Sequence, residues 1–293
     1  MSAAGAPAAS RLERPSAPAI KYTLHAPAGE PKGAVLVVHG YAEHSGRYDE
    51  VVEALTSRGL LAATFDLRGH GHSAGPRGHV ERFGDFVRDV DDLLEALGRN
   101  EAWRRAGPPV LLGHSLGGLI SFHAALADPG QVRALVLSSP YFGLALHVPA
   151  PKRAAARALS RLRPTFSLPS GLHGRDVTRD RDRARAYDDD PLVFPNATAR
   201  FFTESMAAQA RALELAPSMR LPLLVLQASA DKVASATASR TLFDRVGSLR
   251  KEYRSCEGCY HEIFNEPGRE RWVREAAEAA LAFCTDDVAK PAP

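Results

Sequence analysis

Along residues 20–283, short uninterrupted apolar runs take turns with longer stretches whose apolar positions recur every three or four residues. Residues 20–26 alternate in the manner of a half-buried strand. Residues 33–38, 60–65, 110–113, 134–138 and 221–227 are compact apolar runs, the pattern of strands covered on both faces, and a further strand is expected at 251–255. Between them, Val51, Val52 and Leu55 fall at helical spacing, and Phe86, Val90, Leu93, Leu94 and Leu97 mark an amphipathic helix that starts near Phe83. Further helices are expected at 116–127, 238–246 and 270–283. Strand and helix in alternation predict an α/β fold: a mostly parallel sheet with helices on both faces. Such sheets bind ligands beyond the carboxyl ends of their strands, where His39, Asp66 and Ser115 would lie.

The alternation stops after Pro140. Residues 141–217 are rich in Arg, Ala, Pro and Asp, carry no comparable strand run, and show helical patterns at 151–163 and 198–215. They are expected to form a helical cap inserted into a core built from residues 19–140 and 218–284. Residues 1–18, mostly Ala, Pro and Ser, and residues 285–293 are expected to be a flexible leader and tail. The leader has no apolar stretch of the kind a secretion signal needs.

Composition narrows the class without changing the fold. At 293 residues, with 45% hydrophobic and 24% charged residues, the chain sits at the globular average. No apolar run approaches the roughly twenty residues that span a bilayer. A net charge of +3 is no footprint for nucleic acid. Three cysteines are too few for a disulfide framework, which suits a cytoplasmic location. Cys256 and Cys259 form a C-x-x-C that is read as incidental spacing, since no second pair completes a zinc set. The distribution of charge says more. Residues 151–187 hold ten Lys or Arg against three Asp, and Arg153, Arg157 and Arg161 form a helical stripe opposite Ala155, Ala158, Leu159 and Leu162. A solvated surface helix accounts for that pattern; peripheral contact of the cap with an anionic membrane is the sharper expectation.

The candidate chemistry centres on Gly113-His114-Ser115-Leu116-Gly117. A strand running into G-x-S-x-G and then a helix is the pattern of a nucleophile elbow, which holds the serine hydroxyl above the sheet edge. A serine nucleophile needs an imidazole to take its proton and a carboxylate to orient that imidazole. Asp231 and His261 follow in the order and type of loop such a triad uses. The backbone N–H groups of Leu116 and Tyr41 are the expected oxyanion donors, and the Tyr41 ring is expected to narrow or cover the pocket. Asp66 precedes the serine in a glycine-rich loop and is assigned a structural role. His39, His70, His72 and His79 lack a carboxylate to complete a metal set, so neither metal nor cofactor is expected.

With these residues in view, the chain resembles the monoacylglycerol lipase and lysophospholipase group of serine α/β-hydrolases. The likeness rests on His39-Gly40-x-x-Glu43-His44-Ser45-Gly46-Arg47-Tyr48, Asp66-x-x-Gly69-His70-Gly71, Gly113 to Gly118, Gln227-x-Ser229-x-Asp231 and His261-Glu262. Thr178-Arg179-Asp180, Tyr187 and Asp190-Pro191-Leu192 resemble the group's cap segment. The resemblance implies about eight mostly parallel strands, a movable cap, and hydrolysis of a small lipid ester without cofactor. By position it implies that Glu43 and Arg47 shape the substrate-binding end that takes a polar head group. Phe264 stands where the mammalian enzyme has a second histidine. A serine peptidase or amidase on the same scaffold is the nearest alternative. A non-catalytic ligand-binding relative would be expected to lack a triad member, and none is lacking.

Overall fold

The computed structural model describes residues 8–145 and 148–286. In chain order, its core begins with β1 (Ala8–Leu12), β2 (Ile20–His25), β3 (Gly33–Val38), α1 (Asp49–Thr56), β4 (Leu60–Phe65), α2 (Gly84–Leu97) and α3 (Glu101–Ala106). β5 (Val110–His114), α4 (Leu116–Ala127) and β6 (Ala134–Ser138) complete the first part. After β6 come α5 (Ala150–Leu162), β7 (Ser167–Pro169), α6 (Gly174–Val177), α7 (Arg181–Asp189), β8 (Asn196–Thr198) and α8 (Ala199–Leu215). The chain then returns to the core with β9 (Leu223–Ala228), α9 (Ala236–Arg245), β10 (Lys251–Cys256) and α10 (Arg269–Thr285).

Eight strands form one sheet in the spatial order β1-β2-β4-β3-β5-β6-β9-β10, and only β2 runs against the others. This is the α/β-hydrolase fold. Successive side chains of a strand point to opposite faces, so β3 feeds two cores at once. Val35 and Val37 pack toward Val51 and Leu55 of α1 and Val273, Ala276 and Ala277 of α10. Ala34, Leu36 and Val38 face the other way, with Phe86, Val90 and Leu93 of α2 and Leu119 and Ile120 of α4. Burial on both faces is why these strands read as continuous apolar runs. Because the last six strands of that order are parallel, the loops leaving β3, β4, β5, β6, β9 and β10 gather at one edge.

Two expectations fail at the ends of the chain. Residues 8–18 are not a flexible leader: β1 pairs antiparallel with β2, from Ala8 opposite Leu24 to Leu12 opposite Ile20. Arg14 then turns inward, bonding Asp89 of α2, Asp92 Oδ2 at 2.9 Å and the Pro18 carbonyl through Nε at 3.1 Å. Ala-Ala-Ser-Arg-Leu has too little apolar content to register as a strand; backbone pairing and partners some 75 residues away order it. At the other end, Thr285 closes α10, and Asp286 pairs with Arg250 at 2.6 Å, so the expected tail is ordered there; its remainder, 287–293, lies outside the described residues.

The helix α5 also turns differently from expectation. Leu159 and Ser160 face α8, where Ser160 Oγ and Thr203 Oγ1 lie 2.8 Å apart, whereas Ala155, Ala158 and Leu162 are exposed. Leu162 is 81% exposed, with Phe166 at 41% and Leu168 at 56% beyond it.

Asp89 is fully buried and also accepts two bonds of 2.6 Å from Arg68. Replacing Arg14 by Ala removes one of its two cationic partners. The expected cost is about 1–3 kcal/mol of unfolding free energy, read from urea denaturation, with the fold retained because Arg68 stays paired.

Candidate active site

The loop edge is organised by a turn that only small residues permit. Between β5 and α4, Ser115 takes φ 51° and ψ −117°, a left-handed conformation that costs a non-glycine residue about 1–3 kcal/mol. A Cβ on Gly117 would overlap the Val38 carbonyl oxygen, and one on Gly113 would sit 2.6 Å from the Gly117 oxygen. The spacing G-x-S-x-G therefore reflects backbone crossing backbone. Ser115 N–H donates to Ser138 O at 3.0 Å, and its carbonyl accepts from Tyr141 N at 2.9 Å, which anchors the turn to the end of β6.

Ser115 Oγ lies 2.8 Å from His261 Nε2, and His261 Nδ1 lies 2.8 Å from Asp231 Oδ2. The three residues come from the loops after β5, β9 and β10. Asp231 is aimed by its own loop: Oδ1 accepts the N–H groups of Val233 at 2.8 Å and Ala234 at 2.9 Å. The base and acid loops are stapled together, since Ser229 N–H donates to Cys256 O at 3.1 Å and Ala230 N–H to Cys259 O at 3.0 Å. Lys232 Nζ also sits 3.8 Å from the centroid of the Tyr260 ring. Both thiols of the C-x-x-C are buried, and desolvation first, then their mutual charge for Cys256 and Glu266 for Cys259, pushes them above the usual thiol range. They behave as packed, protonated side chains.

Electrostatics favour a proton on the imidazole more than burial alone would allow. Burial would lower His261, but the Asp231 carboxylate, by charge and hydrogen bond, and then Glu262 and Glu43 outweigh it and hold it above the ordinary 6.5. Burial likewise opposes ionisation of Asp231, and His261 together with the Val233 and Ala234 N–H groups keeps it below the usual carboxylate range. The neighbouring His114 ring, 4.8 Å from that of His261, is pushed down to about 4 by burial and by His261, so it stays neutral.

Leu116 N–H starts α4, whose positive end faces the serine. Tyr41 N–H lies in the loop after β3, where Ala42 also has a positive φ of 64°. A Cβ on Gly40 would stand 3.2 Å from Ser115 Cβ, so this loop abuts the serine. Among the described residues, neither N–H donates to a protein acceptor. The Tyr41 ring stacks on Phe201 at 4.2 Å between centroids, and its hydroxyl donates to Asn196 O at 2.5 Å, tying this loop to the inserted segment. Ser115 is 6% exposed and His261 4%. A cavity of about 450 Å³ lies elsewhere, between β9, β10 and α10.

Other expected residues take structural places. Asp66 accepts Ser45 N–H at 2.9 Å, Ser45 Oγ at 2.6 Å and His72 N–H at 2.8 Å. His39 Nε2 accepts Leu67 N–H at 2.9 Å, and His70 Nδ1 bonds Arg68 O at 2.9 Å. Among the described residues no group of three or more His, Cys, Asp or Glu is placed to hold a metal ion. Glu43 and Arg47, which the resemblance implied shape the polar end of the pocket, are bonded to each other and to their neighbours. Glu43 accepts from Gly40 N–H at 2.5 Å, Tyr48 Oη at 2.7 Å and Arg47 Nη1 at 2.9 Å. Arg47 also grips Glu262 with two bonds of 2.7 Å. Glu262 was legible only as the neighbour of His261; nothing in the spacing links it to a residue 215 positions away.

Strand order, elbow and the Ser115–His261–Asp231 contacts define the class: an α/β-hydrolase of the serine type. Comparison with known proteins carries this further. Residues 29–268 match the profile of the family described as Serine aminopeptidase, S33. The monoacylglycerol lipase of Mycolicibacterium smegmatis is 34% identical over 249 residues, covering 85% of this chain and 88% of that one. Phospholipase YtpA of Bacillus subtilis is 32% identical over 258 residues, 87% of this chain and 96% of the relative. The crystal structure of the Paleococcus ferrophilus monoacylglycerol lipase superposes with a TM-score of 0.82 at 32% identity, over 90% of this chain and 99% of that one. The chain belongs to the monoacylglycerol lipase family of α/β-hydrolases, and it is a carboxylic ester hydrolase.

Replacing Asp231 by Asn removes the charge that offsets burial around His261. The imidazole titration, followed by NMR of its ring protons, is expected to move to lower pH than in the parent; an unchanged titration would mean that Asp231 does not set it.

Proposed function

We propose that Ser115 is the nucleophile, His261 the general base and acid, and Asp231 the carboxylate that orients the imidazole and stabilises its charged form. The observation that carries this reading is the pair of 2.8 Å contacts linking the three side chains. Ser115 Oγ attacks the ester carbonyl while its proton passes to His261 Nε2. The carbonyl oxygen, now negative, is held by the N–H groups of Leu116 and Tyr41, each such donor contributing about 3–4 kcal/mol. The imidazolium returns the proton to the leaving alkoxide, which departs as an alcohol. Water then repeats the cycle on the acyl-enzyme and releases the fatty acid. No step needs a cofactor.

The substrate we propose is a small lipid ester with one acyl chain, a monoacylglycerol or a lysophospholipid. Support comes from relatives named monoacylglycerol lipase and phospholipase. Residues 141–217 serve as the cap. They hold the site shut through Tyr41 on Phe201, Thr178 Oγ1 to Asn265 O at 2.7 Å and Glu262 N–H to Val177 O at 2.8 Å. Among the described residues no helix is long and apolar enough to cross a membrane. The cap instead rests on an anionic membrane surface, through its exposed Ala155, Ala158, Leu162, Phe166 and Leu168 and the exposed Lys152, Arg157, Arg161 and Arg163 of the same segment. Amide hydrolysis is the second reading, because the matching family is described as a serine aminopeptidase.

Mono-, di- and triacylglycerols, lysophospholipids and aminoacyl p-nitroanilides tested side by side separate these readings. Monoacyl esters are expected to be turned over fastest; faster cleavage of the anilides would favour the peptidase. Ser115→Ala is expected to lose at least about 10⁴-fold in kcat and all labelling by a fluorophosphonate. Sedimentation with phosphatidylcholine vesicles containing phosphatidylglycerol tests the cap surface. Replacing Arg157, Arg161 and Arg163 by Ala is expected to weaken binding about 100-fold, at about 1 kcal/mol per arginine; equal binding would remove the membrane role.

A further inference from the structure

Arg47 stands where the two halves of the catalytic edge meet. Glu43, in the loop that carries Tyr41 N–H, accepts Arg47 Nη1 at 2.9 Å, while Glu262, directly after His261, accepts Nη1 and Nη2 at 2.7 Å each. The guanidinium is nearly buried, and the Tyr187 ring of α7 covers it at 4.8 Å. Each carboxylate has a second anchor on its own loop. Glu43 Oε1 takes Gly40 N–H at 2.5 Å and Tyr48 Oη at 2.7 Å, and Glu262 Oε2 takes Asn265 Nδ2 at 2.9 Å. The result is a continuous polar brace from the residue beside the oxyanion donor to the residue beside the base.

We infer that Arg47 and Glu262 are positioning residues. Their fork-to-fork ion pair locks the His261 loop against the Tyr41 loop, and the cluster's surplus negative charge stabilises the imidazolium formed during acyl transfer. The inference rests on the triad reading given above. A bidentate guanidinium–carboxylate pair fixes direction as well as distance, which lysine cannot reproduce. Two carboxylates against one guanidinium leave one net negative charge in the buried cluster. Glu262 and Glu43 act on His261 in the same direction as Asp231, the neutral His114 ring lies beside it, and the Arg47 cation between the two glutamates opposes them only in part. Arg47 itself holds the Glu43 carboxyl ionised: burial would raise it, and Arg47, then His114 and His39, keep it well below the usual range.

The two effects separate in two variants assayed on p-nitrophenyl butyrate, an ester without a polar head group. Glu262→Gln removes the surplus charge, so the acid limb of kcat/KM is expected to move to lower pH. Its kcat is expected to fall about 10- to 100-fold with KM little changed, the scale of a misplaced base. Arg47→Lys keeps the charge and loses the fork, so kcat is expected to fall about tenfold with the acid limb unmoved. Thermal melting verifies folding, and if Glu262→Gln does not fold, Arg47→Lys carries the test through its kcat against KM. A fluorophosphonate that labels the parent at Ser115 keeps the triad reading standing. If it labels the parent while both folded variants keep the parental acid limb and kcat within twofold, the brace has no catalytic role. A rise in KM for monoacylglycerol with unchanged kcat in Arg47→Lys would make Arg47 a head-group ligand and overturn the inference. A parent that is not labelled removes the triad and this inference with it.

Discussion

The carbonyl of Val38 occupies the space where a Cβ of Gly117 would have to go, and that close approach sets the geometry of everything above the sheet. It forces the turn after β5 to lie against the end of β3, so the serine at its tip comes beside Gly40 and the backbone of the neighbouring loop. The strain at Ser115 persists because hydrogen bonds to Ser138 and Tyr141 hold both sides of the residue. A relaxed turn would swing the hydroxyl away from the imidazole and the first N–H of α4 away from any carbonyl bound there.

His261 comes to the same point from the far side of the sheet, and its position is over-determined. Backbone bonds fasten its loop to the Asp231 loop, Asp231 is itself aimed by two backbone N–H groups, and the next residue, Glu262, is tied to Arg47. Each tie is a modest interaction. Together they fix an imidazole that sits buried with a raised proton affinity, which a loosely held side chain in water would not have. Burial matters twice here: it weakens competition from solvent and strengthens every charge–charge contact that remains.

The inserted segment is bound into this arrangement through the same loop. Val177, Thr178 and Arg179 contact Glu262, Asn265 and Glu266, with Arg179 Nε 2.5 Å from Glu266 Oε2. His44 and Asp190 meet at 2.9 Å on the other side. These contacts are polar and directional, whereas Tyr41, Phe194 and Phe201 supply the apolar seal. Opening the segment would therefore exchange a small set of named hydrogen bonds for solvent, and it would do so next to the base. The apolar residues that remain uncovered lie on the outer side, along α5 and the residues after it.

Much of this was legible along the chain. Strands buried on both faces have no choice but to be continuously apolar, so β3, β4, β5, β6 and β9 stand out, and a serine elbow needs glycines at fixed positions because backbone must touch backbone. Asp231 and His261 were readable as a pair because their order and their distance from strand ends follow from how the sheet is threaded. The strand β1 was not, since its order comes from pairing with β2 and from Arg14 reaching Asp89, and local hydropathy carries no trace of either. Nor was the role of Glu43, Arg47 and Glu262. The family resemblance put Glu43 and Arg47 at the polar end of the pocket, and only the folded chain brought Glu262 across to bond Arg47. Local patterns record which side chains must avoid water; which buried charges find each other is decided by the topology that carries distant loops to a common edge.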